Sequence, residues 1–291
     1  MQKRAYLLIA VSGSLWGTIG IFVRELYGLG FSTLQIVTMR VFSAAVIMLL
    51  YLLFTKPELL KIRFRDSLYF VGTGILSIVF FNLCYFITIR ETSIAIAVTL
   101  LYTAPAFVAI LSRIIFRESL DAKKLFSLGL TLTGCAFVTG YLPELGNSPS
   151  ITLPWLLTGL GAGFGYALYS IFGKVALKKY DTVTITAYTF FFASLALLPL
   201  VSFETSGEAF STGSFWTYLI GLGFFPTVLA YLLYTKGLEE VESSRAAIVA
   251  TVEPVVATFA GFFFFREIVS GWQLAGILFV LAGVVLIQER K

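Results

Sequence analysis

Histidine is missing from this 291-residue chain. Its absence removes His-ligated metal sites, Ser-His and Cys-His catalysis, and histidine proton relays together. Charge is scarce as well. Asp, Glu, Lys and Arg make up 13% of the residues, against about 25% in a soluble domain. With 58% of the residues hydrophobic, there is too little polar surface to cover a water-facing globule. Only two cysteines occur, Cys84 and Cys135, each inside an apolar block. They read as small buried hydrophobes, not as a disulfide framework. No Walker-type Gly-rich loop is present, so ATP is not the direct driver of anything this chain does. The net charge of +5 is no nucleic-acid signal, because the basic residues lie in short gaps without interleaved exposed aromatics. No metal, cofactor or nucleic acid is expected.

The sequence does hold long apolar blocks. A membrane span needs about 20 predominantly apolar residues. The blocks predict ten helices, at 5–23, 32–54, 67–89, 93–115, 124–142, 154–173, 183–203, 215–236, 244–265 and 270–288. Alternating barrel strands are excluded by the length and continuity of these runs. With no water in hydrocarbon, helices remain as the way to satisfy the backbone. Lys3 and Arg4 before an apolar stretch imitate a signal peptide. The stretch is long and lacks a convincing small-residue cleavage site, so it is expected to stay as the first helix. The basic residues set the orientation. With the N-terminus inside, 17 of the 21 Lys and Arg fall in inner segments, Arg290 and Lys291 among them. Only Arg24, Arg90 and Arg266 fall outside, and Arg40 lies within a helix. Both termini are therefore expected in the cytoplasm, with the protein spanning the cytoplasmic membrane.

The chain repeats itself. A shift of 149 places Phe116-Arg117-Glu118 on Phe265-Arg266-Glu267, Tyr85 on Tyr234, Pro105 on Pro254 and Gly134 on Gly283. A shift of 150 places Gly13 on Gly163, Ile21-Phe22 on Ile171-Phe172 and Arg24 on Lys174. The expected units are residues 1–142 and 154–291, five helices each. Because five is odd, the second copy enters the bilayer from the opposite side. The expected fold is thus all-α, a ten-helix membrane bundle of two inverted five-helix repeats. Such symmetry suits alternating access in secondary transporters.

Gly-Ser-Leu-Trp-Gly at 13–17, Glu253-Pro254-Val255 and the two Phe-Arg-Glu tripeptides, set in a five-plus-five duplication, resemble the EamA branch of the drug/metabolite transporter superfamily. Ala104-Pro105-Ala106 is the weaker echo in the first half. The resemblance covers essentially the whole chain. It implies a basket of helices around a central cavity, lined mainly by helices 1, 3, 4, 6, 8 and 9, with helices 5 and 10 at the periphery. It also implies an exported or imported small metabolite, and it does not fix which.

Glu253 lies near the middle of helix 9, where an ionisable group costs several kcal/mol unless paired, hydrated or neutral. It reads either as a cavity carboxylate for a substrate amine or a coupling proton, or as a brace for the kink at Pro254. Arg40 could bind a substrate carboxylate or partner Glu253; the plainer reading is a side chain snorkelling outward or bonding nearby carbonyls. Pro105 and Pro254 interrupt helices 4 and 9 at matching depths and read as kinks or hinges. Mid-helix Trp16, Tyr85, Tyr102, Tyr166, Tyr169, Tyr231 and Tyr234 need partners for their polar tips, so they are expected to face an interior. Trp16 aligns with Tyr166 and Tyr85 with Tyr234, and these two pairs are expected to line one cavity suited to planar or cationic molecules. Asn82 could add a hydrogen bond there; a bond to backbone is its plainer role.

Three functions compete. A secondary carrier of a small polar metabolite, such as an amino acid, fits the inverted halves, with export ahead of import. A membrane enzyme would need a nucleophile, base or metal cluster at one depth, and none is visible. A structural or sensory partner would show a solid bundle. Proton coupling and homodimer formation stay open on sequence alone.

Overall fold

In the hydrocarbon a backbone group must find its partner within its own segment, which favours helices. The computed structural model describes residues 2–140, 151–202 and 209–288. Among the described residues there is no strand. Ten spans follow one another: α1 Gln2–Gly28, α2 Thr33–Thr55, α3 Phe64–Glu91, α4 Ile94–Phe116, α5 Ala122–Val138, α6 Leu153–Ala176, α7 Thr182–Leu200, α8 Gly213–Glu240, α9 Ser243–Phe265 and α10 Gly271–Gln288. Nine are long and apolar enough to cross a membrane, and α5, at 17 residues, is the tenth. Large side chains such as Ile114, Phe263 and Leu278 are exposed on the outside of the bundle, where lipid takes the place of water. The protein is a polytopic helical membrane protein.

The spans overrun the apolar blocks. α1 continues past residue 23 through Arg24 and Glu25 to Gly28, and α8 runs on to Glu240. Hydropathy reports the hydrocarbon-embedded part, whereas the helix itself ends only where a cap stops it. Ser32 and Gln35 form a reciprocal capping box at the start of α2. Asp121 and Asp181 accept from the backbone N–H of Lys124 and Val183 at 2.7 and 2.8 Å to start α5 and α7. Residues 141–142 and 203, where the predicted helices 5 and 7 end, lie outside the described residues, as do Met1, Arg290 and Lys291.

Two irregularities recur in both halves. α3 and α8 widen into π-helix over Gly72–Val79 and Phe224–Leu229. α4 and α9 break, at Tyr102–Thr103 and at Thr251, just before Pro105 and Pro254. Each proline lacks the N–H that would bond the fourth carbonyl back. Thr103 and Thr251 turn their hydroxyls to Leu100 and Ile248 carbonyls, both at 2.6 Å. A glycine then lets another helix press on each break. A methyl group on Gly13 would lie 2.7 Å from the Ala250 carbonyl oxygen, and one on Gly163 2.8 Å from that of Leu100. Gly13 and Gly163 are repeat mates, so α1 seats on α9 as α6 seats on α4.

The relation between the halves is visible at one end of the bundle. Thr184 and Tyr188 donate to the Leu59 and Leu60 carbonyls at 2.9 and 2.7 Å, and Lys179 Nζ reaches Asp66 Oδ1 at 2.9 Å. Residues 60 and 178 therefore share an end, as inversion requires. α5 and α10 pack closely on each other, and two of their contacts are glycine seats. A methyl on Gly134 would meet the Gly276 carbonyl oxygen at 2.8 Å, and one on Gly283 would meet that of Ser127 at 2.8 Å. A shift of 149 exchanges these two contacts.

Candidate functional site

Kinked and π-widened helices cannot fill the centre of the bundle. They leave a cavity of about 810 Å³, within the range of small-molecule sites. It opens at the end where Arg24, Tyr27, Thr33, Arg90, Ile94 and Glu267 gather, opposite the end that holds residues 60 and 178. Its walls come from α1, α3, α4, α6, α8 and α9, while α5 and α10 contribute nothing to them. α2 also lines it, through Thr33, Ile36, Val37 and Arg40. That wall is additional to the expectation, and it arises because Arg40 ties α2 to α8.

The floor is built around Glu253. This residue stands in the first turn of the helical piece that restarts after the break in α9. There the free N–H groups and the helix dipole favour a negative group. The Tyr166 hydroxyl donates to Glu253 Oε2 at 3.1 Å, and the Tyr102 hydroxyl and the Arg40 guanidinium are its other polar neighbours. Trp16 closes the floor, with its ring 5.1 Å from that of Tyr231 and 6.1 Å from that of Tyr166. Its indole N–H is buried and meets no acceptor among the described residues. Trp16, Tyr102, Tyr166, Tyr231 and Glu253 all face the open cavity on one side and a chamber of about 30 Å³ on the other, room for about one water.

Tyr169 and Tyr234 lie behind the floor, not in the cavity. Tyr234 pairs with Ser170 Oγ at 2.6 Å and Tyr169 with Thr235 Oγ1 at 2.7 Å. Both are buried and line only the chamber. Tyr85, the repeat mate of Tyr234, lines the open cavity. The expectation that both aromatic pairs line one cavity is corrected accordingly. Tyr234 is taken up by Ser170, whereas its mate Tyr85 borders the open cavity. Asn82 borders the cavity while its amide donates to the Ile78 carbonyl at 2.7 Å, the plainer role. Pro105 lines the chamber and Pro254 is buried outside both spaces.

Arg40 does not snorkel. Its Nε donates to Thr227 Oγ1 at 2.8 Å, and Thr227 in turn donates to the Leu222 carbonyl, five residues back, at 2.7 Å. Pro226, four residues on from Leu222, has no N–H to bond that carbonyl, and the threonine passes its acceptor capacity on to Arg40. Thr227 was missed in sequence; the available signal was Pro226 beside it, a proline inside an apolar block that marks an irregular turn.

The end opposite the mouth is sealed by polar bonds. The Glu118 carboxylate accepts from Ser243 N at 2.7 Å, from Ser244 N at 3.1 Å and from Ser244 Oγ. Lys174 Nζ donates to the carbonyls of Leu238, Glu239 and Val241. Glu242 takes Lys124 at 3.1 Å and Arg245 at 2.8 Å. Burial pushes the Glu242 carboxyl up, but the hydrogen bonds from Arg245 and Lys124 outweigh it and hold the group below the usual carboxylate range.

These features have relatives. The model of the EamA-like transporter family matches residues 3–140 and again 153–288. An uncharacterized transporter of Archaeoglobus fulgidus is 32% identical over 279 residues, covering 96% of this chain and 94% of its own length. The uncharacterized inner membrane transporter YicL of Salmonella typhimurium is 23% identical over 294 residues, covering 98% and 95%. A solved crystal structure superposes with a TM-score of 0.81 at 17% identity, over 98% of this chain and 96% of that one; it speaks to the fold alone. With its ten spans and a family match running through both halves, this chain belongs to the EamA-like transporter family.

Proposed function

We propose that this transporter is a secondary carrier that exports a small polar metabolite, an amino acid or a similar molecule, by alternating access across the cell membrane, with both termini in the cytoplasm. One observation carries the reading: a cavity of about 810 Å³, open at one end only, stops at a floor that surrounds Glu253. A solid bundle would favour a structural partner, and this bundle is hollow. On the proposed orientation the mouth faces away from the cytoplasm. The end that carries residues 60 and 178 is the basic one, which agrees with the excess of Lys and Arg there.

The floor defines the substrate chemistry. Glu253 takes an amine or the coupling proton. The part of the Arg40 guanidinium not used by Thr227 takes a carboxylate. The unpartnered Trp16 N–H donates a further hydrogen bond, and the Trp16, Tyr102, Tyr166 and Tyr231 rings receive a planar or cationic group. Tyr85 and Asn82 flank the route to the floor. Pro105 and Pro254 sit at the breaks where α4 and α9 bend between the two conformations.

Counterflow in proteoliposomes with a panel of amino acids, nucleobases and quaternary amines tests this. A solute that exchanges in the intact protein, with exchange lost in Glu253→Gln, is the expected result. If no panel member moves and Glu253→Gln behaves as the parent, the carrier reading falls.

A further inference from the structure

The helices α4 and α9 end in the same way. Arg117 and Arg266 both adopt the left-handed conformation, with φ of 58° and 55°, which is uncommon for a residue with a side chain. The next N–H, of Glu118 or Glu267, returns to the carbonyl six residues back, on Ser112 at 3.3 Å or on Gly261 at 3.2 Å. Two repeat-related glutamates are thus launched from one backbone geometry.

Their fates differ. Glu118 is 8% exposed and sits on the N-terminus of α9, taking the Ser243 and Ser244 donors. α9 lacks a side-chain cap of its own, so Glu118 satisfies N–H groups that would otherwise be orphaned. The Glu267 side chain is 63% exposed at the cavity mouth and faces Arg24 at 3.5 Å. The same divergence holds for the paired cations. Lys174 is bonded to three carbonyls at the C-terminal end of α8. Its mate Arg24 is 57% exposed and lies over the Phe265 ring at 4.1 Å.

The repeat states where the idle pair belongs. A shift of 149 carries Ser243 and Ser244 onto Ile94 and Ala95, the start of α4, and carries Leu238, Glu239 and Val241 onto Ile89, Arg90 and Thr92, the end of α3. Ile89, Arg90 and Ile94 stand at the mouth of the cavity. We propose that Glu118 and Glu267 are alternating latches. Glu118 with Lys174 holds one end shut in this conformation. When the mouth closes, Glu267 takes the N–H groups of Ile94 and Ala95, Arg24 takes the carbonyls at the end of α3, and the first latch lets go. This assignment rests on the two-conformation reading above.

The latches are unequal. Ser244 gives Glu118 a hydroxyl in addition to its N–H, whereas its mate Ala95 has none. The N-terminus of α4 already has the Ser93 hydroxyl as a cap, accepting from Ile96 N at 3.2 Å. The mouth-open conformation is therefore the resting one.

Reporter cysteines at Val98 and Ala247, themselves repeat mates, test this in the full chain reconstituted in liposomes, with Cys84 and Cys135 replaced. Val98 lines the cavity and Ala247 the chamber behind the floor. A membrane-impermeant maleimide reads each side. Glu118→Gln and Ser244→Ala are expected to speed labelling of Ala247→Cys and slow that of Val98→Cys. Glu267→Gln is expected to do the reverse. The carboxylate changes are expected to shift labelling about tenfold, the equivalent of a charge-assisted hydrogen bond. Ala95→Ser, which adds the missing hydroxyl, is expected to protect Val98→Cys, a gain that mere loosening of the fold does not produce. If Ala247→Cys reacts in the parent and its rate is the same in all four variants, the latch is overturned and the two-conformation reading stands. If Ala247→Cys is inert in every background, both fall.

Discussion

A carboxylate at membrane depth survives where something offsets its desolvation, and Glu253 has three such neighbours: the start of a restarted helix, the Tyr166 hydroxyl and Arg40. Trp16 beside it is the opposite case, a buried donor with no protein acceptor among the described residues. A buried unsatisfied N–H costs about 1–3 kcal/mol. Trp16→Phe, which keeps most of the ring packing, is therefore expected to leave thermal stability unchanged or to raise it. It is also expected to abolish the thermal shift caused by a ligand that uses the indole N–H. A ligand shift equal to the parent's would remove Trp16 from the binding floor. The aromatic residues and Glu253 could be picked out in sequence because polar tips and charges stand out in an apolar helix. What sequence could not decide was which aromatic faces the open side, since Tyr85 and Tyr234 have equivalent positions and opposite surroundings.

The ten spans were legible because a bilayer imposes one length and one backbone solution. Their irregularities were legible only in part. Proline marked the breaks in α4 and α9, and Pro226 stands in the π-helical turn of α8, whereas that of α3 has no proline. The repeat paired Gly13 with Gly163, but the close seats on Ala250 and Leu100 did not follow from it, because a glycine does not name what approaches it. Gly163→Ala would place a methyl 2.5 Å from Thr103 Oγ1 and 2.8 Å from the Leu100 carbonyl oxygen. The expected loss is about 1–3 kcal/mol, read as a lower midpoint of thermal aggregation in detergent. Gly129→Ala, where nothing lies within 4 Å, is the control. It is expected to be neutral or to gain about 0.5–1 kcal/mol from reduced backbone entropy in the unfolded chain. Equal losses at both positions would contradict the close seat.

Across the whole molecule, the sealed end is held by buried and half-buried charges, whereas the Arg24–Glu267 pair at the open end is largely exposed. Glu242, with its carboxyl held below the ordinary 4.5, contributes stability that is complete above that value and is lost as pH falls through the lower, folded-state value. Acid is thus expected to loosen the sealed end only well below pH 4.5. Glu242→Gln is expected to flatten that acid limb in a thermal-stability profile against pH. An unchanged profile would mean that Lys124 and Arg245 draw nothing from this carboxylate.

The glycine contacts between α5 and α10 have a consequence of their own. Because the repeat maps this pair of contacts onto itself, exchanging the conformations of the two halves leaves it as it was. On the proposed alternating access, the pair would act as a fulcrum, standing still while the rest of the bundle rocks about it. A covalent strap there should be tolerated where a strap elsewhere would jam the machine. Thr131 and Val280, which the shift of 149 exchanges, flank these two glycine seats. Cysteines in their place, joined by a short bifunctional reagent, are expected to leave counterflow at the unjoined rate, and arrest on joining would show that the fulcrum itself moves.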